Sequence, residues 1–245
     1  MRMKLLPAID LRGGHVVRLL KGDYDQQTTY GDDPVSQAKA FEAAGAQWLH
    51  VVDLDGARSG KPEHAEVIGR ICRETGLAVE VGGGIRDAAA IQELLDAGVT
   101  RVILGTAALR NWEWFREAVH GQFPGKLVLG LDARDGKLAV SGWEEELSKT
   151  ALDVARDVSD WPLAAIVFTD IATDGTLAGP NIAATQAMAD ATRVPIVASG
   201  GVGTAEHLHA VRKLPVEGVI VGRALYDGTV TIEEALAAVE GVTDG

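Results

Sequence analysis

Two aspartates, Asp10 and Asp132, stand directly after apolar runs in matching settings, "AIDLRGG" and "GLDARDG", 122 positions apart. A carboxylate at the end of such a run is costly in a core without a partner, but at an open end it can meet a ligand. Two carboxylates flanking one ligand centre suit general acid–base chemistry if their surroundings drive their pKa values apart. The structural alternative is a salt bridge, with Arg12, Arg18 or Arg134 as partner. Two glycine sets are matched in the same way. "GGGIR" at 82–86 and "SGGVG" at 199–203 lie 117 positions apart, as do "LGTAAL" at 104–109 and "VGRALY" at 221–226. Glycine lets the backbone approach a ligand and present N–H groups to it, and a helix start just beyond adds partial positive charge. Gly83, Gly84, Gly105 and Thr106 form one candidate phosphate site, and Gly200, Gly201, Gly222 and Arg223 form the other. The alternative is that these glycines serve only tight turns.

Other polar residues cluster near the same places. Thr169 can hydrogen-bond a substrate or an aspartate, and Trp143 can stack on a flat ring or pack a lid. Arg18 and Gly175 complete the candidate binding set. Asp170 and Asp174 in "TDIATDGT", and Asp53 and Asp55 in "VVDLDGA", divide between ligand contact and a cap or turn role. His50 reads as a satisfied core histidine. The six histidines form no HExxH and there is no cysteine cluster, so neither a metal nor a cofactor is expected. No P-loop, no GxGxxG after the first strand and no GxSxG is present.

The elements that must position these residues follow from periodicity. Apolar runs at 5–10, 48–54, 77–83, 101–106, 127–132, 164–170, 195–201 and 217–222 read as parallel strands buried on both faces. Helical patterns lie at 34–44, 62–75, 88–97, 110–120, 148–160, 181–192, 204–213 and 231–240. Eight regular units predict a single (β/α)₈ barrel rather than an open doubly wound sheet, with half-barrels of about 1–122 and 123–240. The glycine sets then follow strands 3–4 and 7–8, on opposite sides of the ring. Asp10 and Asp132 end strands 1 and 5, also opposite and a quarter-turn away. A ligand with two phosphates would be held at both ends, its centre between the aspartates.

Composition limits the rest. The chain has 245 residues, 47% of them hydrophobic, with 29 glycines that suit many tight connections. A single cysteine, Cys72, forms no internal disulfide and reads as an inert thiol in a reducing compartment. The start "MRMKLLPAID" is too short in apolar residues for a signal peptide, and no run approaches the ~18–20 of a membrane span. A soluble, cytoplasmic protein is expected, as a monomer with no membrane partner. The net charge of −12 argues against a nucleic-acid partner, though not against a small phosphorylated one.

The stretches "LLPAIDLRGGHVVRL", "LHVVDLDGA", "VGGGIRD", "LGTAAL", "GLDARDGKLAVSGW", "FTDIATDGTLAGPN", "VASGGV" and "VIVGRALY" together resemble the phosphoribosylformimino aminoimidazole carboxamide ribotide isomerases of histidine biosynthesis. The resemblance runs from about Leu5 to Leu236. It implies a two-fold repeated barrel with two phosphate sites and a cofactor-free Amadori rearrangement of an aminoaldose to an aminoketose. It also implies Asp10 as general base, Asp132 as general acid and Thr169 in support. Three alternatives stand beside it. The cyclase subunit of imidazole glycerol phosphate synthase resembles the same pattern, but typically opens with "CLD" where this chain has "AID". The bifunctional relatives that also isomerise phosphoribosylanthranilate resemble "RGRGW", where this chain has "LAVSGW", so little activity on that substrate is expected. A non-catalytic phosphosugar-binding protein would need neither aspartate.

Overall fold

The computed structural model describes residues 3–20, 23–140, 142–143 and 145–241. The first half runs through strands β1 (Lys4–Arg12), β2 (His15–Leu20) and β3 (Asp23–Gly31), then helix α1 (Pro34–Ala43). Strand β4 (Trp48–Asp53) is followed by α2 (Leu54–Ser59) and α3 (Ala65–Glu74), then β5 (Ala78–Gly82) by α4 (Ala88–Asp96). Strand β6 (Arg101–Leu104) leads into α5 (Thr106–Arg110), α6 (Trp112–Glu117) and a π-helical turn, Ala118–Gln122. The second half begins with β7 (Leu127–Arg134), β8 (Lys137–Val140) and β9 (Glu145–Thr150), then α7 (Ala151–Asp157). It continues with β10 (Ala165–Asp170), α8 (Ile182–Ala191), β11 (Ile196–Ser199), α9 (Ala205–Val211), β12 (Gly218–Val221), α10 (Arg223–Tyr226) and α11 (Ile232–Glu240).

Strands β1, β4, β5, β6, β7, β10, β11 and β12 pair in parallel, in that order, and β12 returns to β1. The eight-stranded ring is the expected (β/α)₈ barrel. The continuous apolar runs arise because both strand faces are covered. Inward-facing Leu6, Ala8, Val128, Ala165, Val167, Val197 and Ile220 pack together inside the ring. Outward-facing Ile9, Val51, Val81 and Leu129 join helix residues such as Val35, Ile68 and Ile91 in the larger core. Helix starts are set by side-chain caps: Asp33 before Pro34 in α1, Asp87 in α4, Thr204 in α9, and a Thr231/Glu234 capping box in α11.

The structure departs from the sequence reading in the loops. β1 and β7 run past their aspartates and fold back as hairpins with β2 and β8, extended by β3 and β9. The helix expected over 110–120 is broken at Asn111, so that α5 starts at Thr106 and α6 ends in the π-helical turn. The halves match in backbone detail. Gly105 and Gly222 have φ/ψ of −107/−98 and −109/−100. Gly83 and Gly84 (φ 108 and 74) match Gly200 and Gly201 (96 and 83). Cys72 is half-buried, and burial pushes its thiol up to about 11, consistent with an inert side chain. Among the described residues, no helix is long and apolar enough to cross a membrane.

Candidate active site

A cavity of about 1320 Å³ opens at the C-terminal ends of the barrel strands. Asp10, Asp132, Thr169, Arg18, Trp143 and Gly175 line it, as do both glycine sets with Thr106 and Arg223. The inward direction of each chemical residue follows from strand alternation. Leu6, Ala8 and Asp10 share one face of β1, and Val128, Gly130 and Asp132 share the corresponding face of β7. β1 and β7 are four places apart in the ring of eight, as the pairs β5–β6 and β11–β12 are from each other, so the glycine sets face each other across the mouth.

The two aspartates have unlike neighbours. Asp10 is 9% exposed, and its Oδ2 lies 2.8 Å from Arg18 Nη1. Arg18 also donates from Nη2 to the carbonyl of Ala8 at 2.6 Å. The salt-bridge alternative for Asp10 is therefore realised, and Arg18 is engaged with the aspartate as well as lining the cavity. Asp132 instead meets neutral donors: Trp143 Nε1 donates to Oδ2 at 2.9 Å, and the Thr169 hydroxyl also hydrogen-bonds it. Burial pushes the Asp132 carboxyl up, only partly offset by Trp143, Thr169 and the more distant His50. Trp143 holds this contact from a left-handed backbone position, φ 72.

Asp174 proves to be a cavity residue. Burial raises its carboxyl to about 6, with Arg18 opposing and Asp10 and Asp132 reinforcing the rise. The other ambiguous aspartates organise loops. Asp53 is fully buried and accepts from the backbone N–H groups of Gly56, Glu63 and His64 at 2.7, 2.7 and 2.9 Å. Asp55 accepts from Gly13 N–H at 2.6 Å and pairs with His64 Nε2 at 2.7 Å. Asp170 accepts from Ala172 N–H and from Asn181 Nδ2.

The glycines border the cavity, and they are also required by close backbone packing. A Cβ on Gly83 would lie 2.2 Å from the Asp53 carbonyl oxygen, one on Gly84 2.5 Å from that of Gly56, and one on Gly201 2.3 Å from that of Gly179. A Cβ on Gly222 would meet the Arg18 guanidinium at 2.7 Å. Arg223 donates from Nη1 to the Gly175 carbonyl at 2.8 Å and pairs through Nε with Asp227 at 2.8 Å. Sequence reasoning missed Arg58, Arg86 and Arg110, which line the cavity on the side of the first glycine set. Arg86 directly follows "GGGI", a signal that was available; Arg110 pairs with Glu145 of β9, whose hairpin was not foreseen. Among the described residues, no group of three or more His, Cys, Asp or Glu side chains is placed to hold a metal ion.

The model of the family described as "Histidine biosynthesis protein" matches residues 4–231. The chain belongs to this family. Among similar members of the histidine biosynthesis proteins is a Ruegeria sp. (strain TM1040) protein, 49% identical over 98% of this chain and 100% of its own length. A Paracoccus denitrificans protein is 51% identical over 96% of this chain and 99% of its own length. A Rhodopseudomonas palustris protein is 50% identical over 97% and 98%. All three are named 1-(5-phosphoribosyl)-5-((5-phosphoribosylamino)methylideneamino)imidazole-4-carboxamide isomerase, the first with the suffix 2. In this histidine-biosynthesis barrel, as in its relatives, the match spans both halves, and so covers both aspartates and both glycine sets.

Proposed function

We propose that this chain is the isomerase for which its relatives are named, converting the phosphoribosylamino aldose to its phosphoribulosyl ketose in the cytoplasm, as a monomer. The observation that carries the reading is the unlike pair of aspartates on β1 and β7, facing one cavity between two opposed glycine sets. Each glycine set takes one phosphate, so binding energy from the unreacting ends positions the sugar between the carboxyl groups. Asp132, whose carboxyl is raised by burial, protonates the ribose ring oxygen. The C1′–O bond breaks and the nitrogen lone pair forms an iminium at C1′. Asp10 removes the proton from C2′, and the electron pair forms the C1′=C2′ bond of an enolamine. Return of a proton to C1′ and loss of the C2′ hydroxyl proton give the ketone. Beyond the opening of the ring, every step is a proton transfer with its accompanying shift of a bonding pair.

A second reading has its own observation. Asp174 has a carboxyl raised to about 6 and interacts electrostatically with both aspartates, so it is a second candidate for the acid. Asp10→Asn, Asp132→Asn and Asp174→Asn decide between them. The expected outcome is a loss of about 10²- to 10⁴-fold in kcat for Asp10→Asn and Asp132→Asn, with little change in KM. Near-normal turnover by Asp10→Asn removes the mechanism. Near-normal turnover by Asp132→Asn, with loss in Asp174→Asn, transfers the acid role to Asp174.

A further inference from the structure

Below the aspartates a row of charged side chains crosses the barrel interior. His50 Nδ1 lies 2.6 Å from Glu80 Oε1, and Arg101 donates from Nε to Glu80 Oε2 at 2.7 Å. Arg101 Nη1 lies 3.4 Å from each carboxylate oxygen of Glu217, which also pairs with Lys4. Glu80 is 0% exposed and Arg101 3%, and Arg101 Nη2 is buried without a partner. Burying this many charges is unfavourable compared with well-packed apolar side chains. The fold itself does not need them. The repeat that carries the glycine sets places Val167, Val197 and Gly218 at the positions 117 later than His50, Glu80 and Arg101. Val167 and Val197 there belong to the apolar cluster inside the barrel. The halves agree at their glycine turns and differ at this triad.

The triad ends in the active cavity. His50 lines it, and in the β1–β4 pairing His50 is level with Ala8, one inward position below Asp10. Glu80 is held below the usual carboxylate range: burial opposes this, but His50 and Arg101 outweigh it. An ionised carboxylate only accepts, so the hydrogen between His50 and Glu80 is on Nδ1. The ring is then fixed in one orientation, and in its neutral form the lone pair is on Nε2. Among the described residues Nε2 has no recorded hydrogen-bond partner.

We propose that His50 is a further catalytic residue, taking the C2′ hydroxyl proton through Nε2, and that Glu80, braced by Arg101, is the positioning residue that fixes its ring and tautomer. The inference rests on the isomerase reading above and supplies its last step. As C1′ of the enolamine takes the proton held by Asp10, the O–H bond at C2′ breaks. Its electron pair forms C2′=O, and the proton passes to Nε2. The resulting imidazolium is balanced by Glu80 and returns the proton to Asp132, which had given one to the ring oxygen. All protons are then restored. The asymmetry fits a reaction that has one hydroxyl to deprotonate, beside one aspartate of the pair.

The test combines kinetics with ¹⁵N NMR of histidine-labelled protein, the His50 signals being assigned by their loss in His50→Gln. In the neutral form of the wild-type ring, Nδ1 is expected to be protonated and Nε2 bare, and Glu80→Gln is expected to redistribute the proton between them. Glu80→Gln and His50→Gln should each lower kcat by about 10- to 100-fold, with KM changed less than about twofold, and the double variant should lose little more than His50→Gln alone. Glu80→Asp, which keeps the charge, should recover part of the loss. Should Glu80→Gln not fold, the triple variant His50→Val, Glu80→Val and Arg101→Met, which removes the buried charges together, replaces it and is expected to fold, bind product and lose turnover as His50→Gln does. Full turnover by His50→Gln, or an unchanged His50 tautomer in folded Glu80→Gln, overturns the inference and leaves the isomerase reading standing. Absence of wild-type turnover overturns both.

Discussion

Asp10 and Asp132 occupy equivalent places in two similar half-barrels, and their chemical difference comes from what each half puts beside them. Arg18 reaches Asp10 from β2, whereas the indole of Trp143 reaches Asp132 from the turn between β8 and β9. Asp174 introduces a third carboxyl, and it has a stability cost that can be measured. Its folded-state value is raised from 3.8 to about 6. The stability associated with its protonated form is therefore complete below about pH 4 and is lost as pH rises through 6. Asp174→Asn does not titrate and keeps an acceptor oxygen. The variant should match the wild type near pH 4 and exceed it by about 3 kcal/mol at pH 8. Urea unfolding at the two pH values checks this. A gap of equal size at both would mean that contacts other than its charge set the effect.

At the scale of elements, the glycine turns hold the rim by geometry that only glycine supplies. Gly83 combines φ 108 with a Cβ direction blocked by the Asp53 carbonyl at 2.2 Å. Gly136 has φ 80 but nothing within 4 Å of the Cβ direction. Gly136→Ala is expected to cost about 1 kcal/mol of backbone strain, and Gly83→Ala at least about 3 kcal/mol, because the loop after β4 must also move. Equal losses in urea midpoints would mean that conformation alone fixes these glycines. The same contrast explains what the sequence disclosed. Strands such as "LLPAID" were legible because burial on both faces leaves an unbroken apolar run. β3, "DYDQQTTYG", was not, because it is largely exposed and pairs with β2 alone. Asp10, Asp132 and the glycines were legible through repetition at fixed offsets. Asp174 was not, because the turn motif containing it looks the same whether the side chain caps a loop or faces a cavity. The Glu80–Arg101 contact was hidden because it joins residues on neighbouring strands 21 positions apart.

For the molecule as a whole, two electrostatic influences on an anionic substrate oppose each other. The chain carries a net charge of −12, which repels the substrate at long range. Seven arginines against five aspartates line the cavity, and burial raises two of those five, Asp132 and Asp174, towards neutrality. Added salt weakens both influences, but in opposite directions for kcat/KM. The Debye length is about 10 Å at 0.1 M salt, so a diffuse surface charge is screened before a substrate reaches the mouth. Charges inside a low-dielectric cleft are concentrated at the opening and screened less. The local field is therefore expected to dominate once salt is moderate. Raising sodium chloride from about 0.05 M to about 0.3 M should lower kcat/KM several-fold and leave kcat unchanged, since the reacting centre is already enclosed. Replacing Arg58, which faces the mouth outside both glycine sets, with Gln should flatten that dependence without altering kcat. A kcat/KM that instead rises with salt would mean that the surface charge governs capture and that the cavity arginines act only after the substrate is bound.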